Sequence, residues 1–72
     1  METITITTEY IKLQDLLKFA SLVSTGGEAK IAIAEGQVRF NGEVCTQRGK
    51  KIRPGDAVAY RGHELTVAYA DQ

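Results

Sequence analysis

The chain has 72 residues, enough for one small domain, and leaves no room for a separate catalytic domain. Its composition, 43% hydrophobic and 25% charged, lies close to the averages of globular proteins and excludes the disordered and fibrous classes. Nine basic residues balance nine acidic ones, and this formal net charge of zero argues against strong, indiscriminate binding to nucleic acid.

Cys45 is the only cysteine in the sequence, so an intramolecular disulfide is impossible. Small secreted scaffolds carry several cysteine pairs, and this pattern therefore favours a reducing compartment. The first ten residues, METITITTEY, lack the basic and apolar regions of a signal peptide, and no apolar stretch is long enough for a membrane span. We expect a cytoplasmic protein with no membrane partner.

The first part of the chain predicts a strand followed by a helix. Residues 3–8 alternate threonine with Ile4 and Ile6, which is the period of a strand with one buried face. Because the strand is short, we expect it at a sheet edge. Over residues 12–21 the apolar side chains recur at helical spacing and predict an amphipathic helix.

A second helix is predicted between Thr25 and Gly36. Thr25 offers an N-cap hydroxyl, and Glu28 follows three residues later, which completes a capping box. Gly36 is typical of the residue just after a helix C-terminus. The predicted buried face of this helix, from which Ile31 points away, consists of Ala29, Ala32 and Ile33.

A β-hairpin is predicted after the second helix. Asn41 and Gly42 favour the positive φ angles of a type I′ turn between two strand-like segments. A two-residue loop would pair Phe40 with Glu43 and turn Val44 to the other face. A bulge or a longer turn is therefore an open alternative.

The remainder of the chain predicts more turns and strands. Pro54 and Gly55 favour a reverse turn, and strands are expected at residues 58–60 and 65–69, with a turn at 61–62. The order of elements predicts an α+β fold, with two packed helices on a small, mostly antiparallel sheet of four to five short strands.

Positive charge is concentrated in the middle of the chain. Residues 30–53 contain six basic residues against two acidic ones, a net of +4, whereas residues 1–29 and 54–72 each carry a net of −2. Because a polyanion is attracted by local potential, the basic middle predicts an anionic partner. A basic run taken alone is also typical of an ordinary solvated surface.

Three segments, KLQDLL, TGGEAKIAIAEGQVRFNGEV and PGDAV, resemble the S4 domain, a small RNA-binding module. The resemblance spans about residues 11–58, and GGEAK together with RGKK looks like the stand-alone, single-domain S4 proteins of bacteria. It implies one S4-like (αL-type) domain over residues 1–72. It also implies a non-enzymatic function in binding structured RNA, either ribosomal RNA or tRNA, with a role in ribosome assembly or translation.

The resemblance also assigns positions to individual residues. Lys12 stands where the family usually has the arginine that opens the first helix. Thr25 and Gly26 stand where the family commonly has Ser-Arg, so that arginine is absent as a phosphate contact. The open N–H groups of Gly26 and Gly27, with Lys30 one turn into the helix, can compensate.

The predicted RNA contacts are basic residues of the middle segment together with one at the start of the first helix. They are Lys12, Lys30, Arg39, Arg48, Lys50, Lys51 and Arg53. For Arg39 the alternative is a cross-strand ion pair with Glu43. For Lys12 it is a local pair with an acid such as Asp15.

No catalytic, cofactor or metal site is predicted. Cys45 and His63 lack an evident carboxylate to orient a nucleophile and its base, and together they fall short of a zinc site. We expect a monomer with no small-molecule substrate. The alternative function is a protein interaction module whose basic loop only confers solubility, and a small β-grasp carrier is a weaker one.

Overall fold

The computed structural model describes residues 2–70, which form two helices and seven strands. In chain order these are β1 (Glu2–Ile6), β2 (Ile11–Lys12), α1 (Leu13–Phe19), α2 (Gly26–Ala34), β3 (Val38–Phe40), β4 (Glu43–Val44), β5 (Lys51–Ile52), β6 (Ala57–Tyr60) and β7 (His63–Tyr69). No helix within this range is long and apolar enough to cross a membrane.

The main sheet has five strands in the order β1-β7-β6-β3-β4, and β2 with β5 forms a separate two-stranded sheet. Within the main sheet β1 pairs with β7 in parallel, and the other three pairings are antiparallel. The predicted α+β class is therefore confirmed, as is the edge position of the first strand. The parallel pairing and the two-stranded sheet were not predicted.

The core lies between the two helices and one face of the main sheet. Both helices bury their predicted apolar stripes, and the largest side chains with no exposed surface are Leu13, Leu16, Leu17, Ile33, Ile52 and Leu65. Complete burial of one such side chain contributes about 1.5–3 kcal/mol of transfer free energy. Ala29 and Ala32 are buried where α2 meets α1, whereas Ile31 is 59% exposed, as predicted.

Local side-chain signals define both ends of α2. Thr25 Oγ1 accepts a hydrogen bond from the Glu28 N–H at 3.1 Å, and Glu28 Oε1 accepts one from the Ser24 N–H at 2.7 Å. The capping box thus forms, with its carboxylate on the residue before the cap. At the other end, Gly36 has a φ of 74° and the N–H groups of Gly36 and Gln37 return to helix carbonyls in a Schellman motif.

The β3–β4 hairpin has the predicted two-residue turn. Asn41 and Gly42 have φ angles of 50° and 90°, which are those of a type I′ turn, and Phe40 pairs directly with Glu43. The register therefore excludes the bulge that was an open alternative. Val44 lies on the face of β3 that carries Arg39, and its side chain is 53% exposed.

Pro54 and Gly55 form the predicted reverse turn between β5 and β6. The N–H of Asp56 donates to the Arg53 carbonyl at 3.0 Å, and Gly55 has a φ of 96°, as a type II turn requires. Asp56 Oδ2 also accepts a hydrogen bond from the Arg53 N–H at 2.8 Å. The carboxylate of Asp56 therefore stabilises the turn on which it lies.

The first helix is shorter than predicted. The helical pattern covers residues 12–21, but α1 ends at Phe19, and Ser21 adopts a φ of 61°. A left-handed residue cannot continue a right-handed helix, so the chain turns here toward α2.

Candidate nucleic-acid interface

Two lysines face each other across the two-stranded sheet. In the antiparallel register of β2 and β5, Ile11 lies opposite Ile52 and Lys12 lies opposite Lys51. Ile52 is fully buried, and because side chains alternate along a strand, both lysines point away from the core. Directly opposed residues have Cβ atoms about 4.5–5.5 Å apart, and like charges at such positions are destabilising.

The basic loop before β5 is attached to the start of α1 by backbone hydrogen bonds. The Leu13 N–H donates to the Lys50 carbonyl at 2.9 Å, and the Gln14 N–H donates to the Arg48 carbonyl at 3.1 Å. Lys12, the N-cap residue, makes no side-chain cap, so these carbonyls satisfy amides that a helix leaves open. The loop and the helix start thus bring Lys12, Arg48, Lys50 and Lys51 together, and we call these four residues the basic cluster.

Two aromatic rings hold lysine side chains of the basic cluster. Lys50 Nζ lies 4.9 Å from the centroid of the Phe40 ring, and Lys51 Nζ lies 5.0 Å from the centroid of the Tyr10 ring. Such cation–π contacts are worth about 0.5–1 kcal/mol at exposed sites. They orient neighbouring ammonium groups toward different rings, and the sequence patterns did not indicate either aromatic partner.

Arg39 lies outside the basic cluster. It is exposed on the outer face of the main sheet, opposite Val44 on one side and Ala59 on the other. Its Nη1 lies 3.5 Å from the Gly42 carbonyl, to which it donates a long hydrogen bond. Glu43, the alternative partner predicted for Arg39, is on the opposite face of the hairpin.

Lys30 and Arg53 lie on α2 and on the type II turn. Lys30 is exposed on α2, which packs on α1, and Arg53 is exposed at the first position of the type II turn. The N-terminus of α2 carries the Glu28 carboxylate, hydrogen-bonded to the Ser24 N–H. A negative charge at this position opposes the binding of a phosphate by the helix amides.

Cys45 and His63 are the two residues whose chemistry bears on catalysis or metal binding. Cys45 is a half-buried free thiol, and His63 is the exposed first residue of β7. Across residues 2–70, no group of three His, Cys, Asp or Glu side chains could hold a metal ion.

Comparison with known protein families gives one match over most of the chain. The S4 domain model matches residues 4–68. The chain is 45% identical over 58 residues to "Putative RNA-binding protein YbcJ" of Escherichia coli (strain K12), covering 81% of this chain and 83% of that protein. It is 41% identical over 59 residues to "Probable ribosome maturation protein RlbA" of Bacillus subtilis (strain 168), with 82% and 83% covered.

A solved structure has the same fold. The solution structure of YbcJ from E. coli superposes with a TM-score of 0.73 at 40% sequence identity, covering 94% of this chain and 87% of that chain. Its authors describe an ALFAL motif involved in RNA binding. The S4-like architecture expected from the sequence is therefore confirmed by a structural relative.

Proposed function

Because this chain belongs to the S4 domain family, we propose that it is a non-enzymatic protein that binds the phosphate backbone of structured RNA through its basic cluster. Two relatives support this proposal through their names, one an RNA-binding protein and the other a ribosome maturation protein. The family match supports RNA as the class of ligand. The geometry of the cluster supports these four residues as its contacts.

The observation that carries the proposal is the direct pairing of Lys12 with Lys51. Like charges at directly opposed positions of a sheet are destabilising, and hydrophobic packing does not require these two lysines because their side chains are exposed. A phosphate between the two lysines reverses the sign of this interaction. It turns one repulsion into two charge-assisted hydrogen bonds.

The basic cluster is partly ordered before any ligand arrives. Its loop is hydrogen-bonded to the first turn of α1, and two of its ammonium groups rest over aromatic rings. Ordering a long side chain on binding costs about 0.5–1.5 kcal/mol. The contact with the Tyr10 ring restricts Lys51 in the free protein and reduces that cost for this side chain.

Lys30, Arg39 and Arg53 are proposed as additional contacts to a large, folded RNA. They lie on α2, on the outer sheet face and on the type II turn, and they are exposed. A folded RNA presents phosphates in several directions, and shape recognition of this kind relies on backbone contacts.

We infer that the RNA is ribosomal, because a relative with 41% identity bears the name of a ribosome maturation protein. A role in ribosome assembly follows from this choice of target, and transfer RNA is the alternative target. The protein then acts in the cytoplasm as a monomer, with no cofactor.

The proposal is tested by fluorescence anisotropy with labelled, folded fragments of ribosomal RNA and with tRNA, at about 50 and 200 mM salt. We expect the wild-type protein to bind ribosomal fragments at low salt and to lose at least about tenfold in affinity at the higher salt. Lys51→Gln should weaken binding about tenfold and reduce the slope of log affinity against log salt by about one.

Arg61→Asn is the matched control. Arg61 is an exposed basic residue in the β6–β7 turn, at the end of the main sheet opposite the Asn41 turn, and asparagine tolerates its φ of 49°. This variant also loses one positive charge but should leave the affinity within about twofold. The proposal would be contradicted by an affinity that does not depend on salt concentration, or by an equal loss of affinity in Lys51→Gln and Arg61→Asn.

A further inference from the structure

A cavity of about 250 Å³ lies beside the basic cluster, between the β3–β4 hairpin and the loop that follows it. Phe40, Glu43 and Lys50 contribute an aromatic ring, a carboxylate and an ammonium group to its walls, and Thr46 and Gln47 add neutral polar groups. A volume of this size can receive a single planar base.

The positions of the three main groups follow from the hairpin register. Glu43 lies directly opposite Phe40, so its carboxylate stands beside the ring on the same face of the hairpin. Lys50 approaches from the loop, with Nζ 4.9 Å from the ring centroid. The cavity therefore combines an aromatic floor with a positive and a negative group.

We propose that this cavity holds one unstacked guanine of the bound RNA, a proposal that rests on the RNA-binding function. The base stacks on Phe40, and the Lys50 ammonium moves from the ring to the guanine O6 and N7 acceptors. The Glu43 carboxylate accepts hydrogen bonds from guanine N1–H and the N2 amino group. Single-stranded bases are read on these edges by proteins that splay them out of a fold.

The other three bases match the two charged groups less well. Adenine keeps the N7 acceptor but presents an amino donor in place of O6, and cytosine also presents an amino donor to Lys50. Both bases place a ring nitrogen acceptor where Glu43 needs a donor. Uracil offers an acceptor to Lys50 but a single N–H to Glu43. Guanine alone satisfies the ammonium and both oxygens of the carboxylate.

This role gives a physical reason for the presence of Glu43. It is one of two acidic residues in the segment 30–53, which carries a net charge of +4. Glu43 lies on one face of the hairpin and Arg39 lies on the other. An exposed carboxylate beside phosphate-binding lysines weakens RNA binding by repulsion. Donors on a bound base offset that repulsion, and they do so for guanine more fully than for the other bases.

Four RNA hairpins that differ in one unpaired loop nucleotide, guanine, adenine, cytosine or uracil, test the proposal by fluorescence anisotropy at constant salt. Wild-type protein should bind the guanine hairpin about tenfold more tightly than the adenine hairpin. Glu43→Gln should bind the guanine hairpin about tenfold more weakly, while its affinity for the other three stays the same or rises because a repelling charge is gone.

Glu35→Gln is the control, because Glu35 is the other acidic residue of the segment 30–53. Its carboxylate lies at the end of α2, where it accepts a hydrogen bond from Gln37. It should preserve the guanine preference. Equal, salt-dependent binding of all four hairpins would overturn the guanine cavity and leave the proposed function intact. Failure of the wild-type protein to bind any hairpin or ribosomal fragment would overturn both.

Discussion

Lys12 occupies a position that is unfavourable for a positive charge in two ways. It faces Lys51 across the small sheet, and it is the N-cap of α1, where the helix dipole favours negative groups. A residue that destabilises the free protein at such a position is typical of a binding surface, because the ligand supplies the missing negative charge.

Replacing this lysine should therefore stabilise the protein while weakening RNA binding. For Lys12→Gln we expect the free energy of unfolding in urea to rise by about 0.5–1 kcal/mol at low salt, and this gain to shrink as salt screens the charges. Lys18→Gln provides the control, because Lys18 lies in the last turn of α1, where a positive charge is favourable. It should lower stability slightly, and a loss of stability in Lys12→Gln would show that the lysine supports the fold.

At the scale of secondary-structure elements, the side chains of Asn41 and Asp56 connect the β3–β4 hairpin to the type II turn. Asn41 Oδ1 accepts a hydrogen bond from the Ala57 N–H at 2.8 Å, and Asn41 Nδ2 donates to Asp56 Oδ1 at 3.3 Å. Asp56 also accepts from the Arg53 N–H. These contacts hold the type II turn after β5 against the β3–β4 hairpin. The two elements lie on either side of the basic loop in the sequence.

The substitution Asn41→Gly tests the side-chain hydrogen bonds of Asn41 while it preserves the conformation of the turn. Glycine keeps the positive φ but loses both side-chain hydrogen bonds, so we expect a loss of about 1–2 kcal/mol in the free energy of unfolding. Arg61→Gly is the matched comparison. Arg61 is the first residue of the β6–β7 turn, in which Arg61 and Gly62 both have positive φ angles. It removes the contact of the Arg61 guanidinium with the Tyr60 ring and should lower stability by less than about 1 kcal/mol. Equal effects of the two substitutions would exclude a stabilising role for the hydrogen bonds of the Asn41 side chain.

Sequence patterns could predict the elements whose signals are local. Thr25, Glu28 and Gly36 define the ends of α2 by hydrogen bonds within a few residues, and Asn41-Gly42 fixes its own turn. The strands β2 and β5 have two residues each, too few to display an alternating period. The parallel pairing of β1 with β7 was also inaccessible, because alternation identifies a buried face and not the neighbouring strand.

The same limit applies to the candidate site. Basic residues of the loop were identifiable from charge and from the family resemblance, as was Lys12 at the helix start. Their mutual geometry was not, because it depends on the β2–β5 register that opposes Lys12 to Lys51. Tyr10 gains its role from the same folding, since it immediately precedes β2 and the lysine that it holds lies in β5. Phe40 meets Lys50 through the β4 strand and the loop between them.

On the scale of the whole molecule, zero net charge and a local basic cluster act together. The weak overall field gives little attraction for RNA at long range, and the four residues of the basic cluster provide attraction at one place. Such a distribution favours an RNA whose phosphates match the cluster over other polyanions. We expect affinity for double-stranded DNA of equal length to be at least about tenfold lower than for a folded ribosomal fragment, as measured by competition at the same salt.

A double-mutant cycle on RNA affinity tests the facing lysines most directly. Lys12→Gln, Lys51→Gln and the double variant are titrated with one folded ribosomal RNA fragment at low salt. If the two lysines hold the same phosphate, each single substitution weakens binding about tenfold and the double variant loses much less than the product of the two factors. Single variants that bind like wild type, or losses that simply multiply, would contradict a shared phosphate between Lys12 and Lys51.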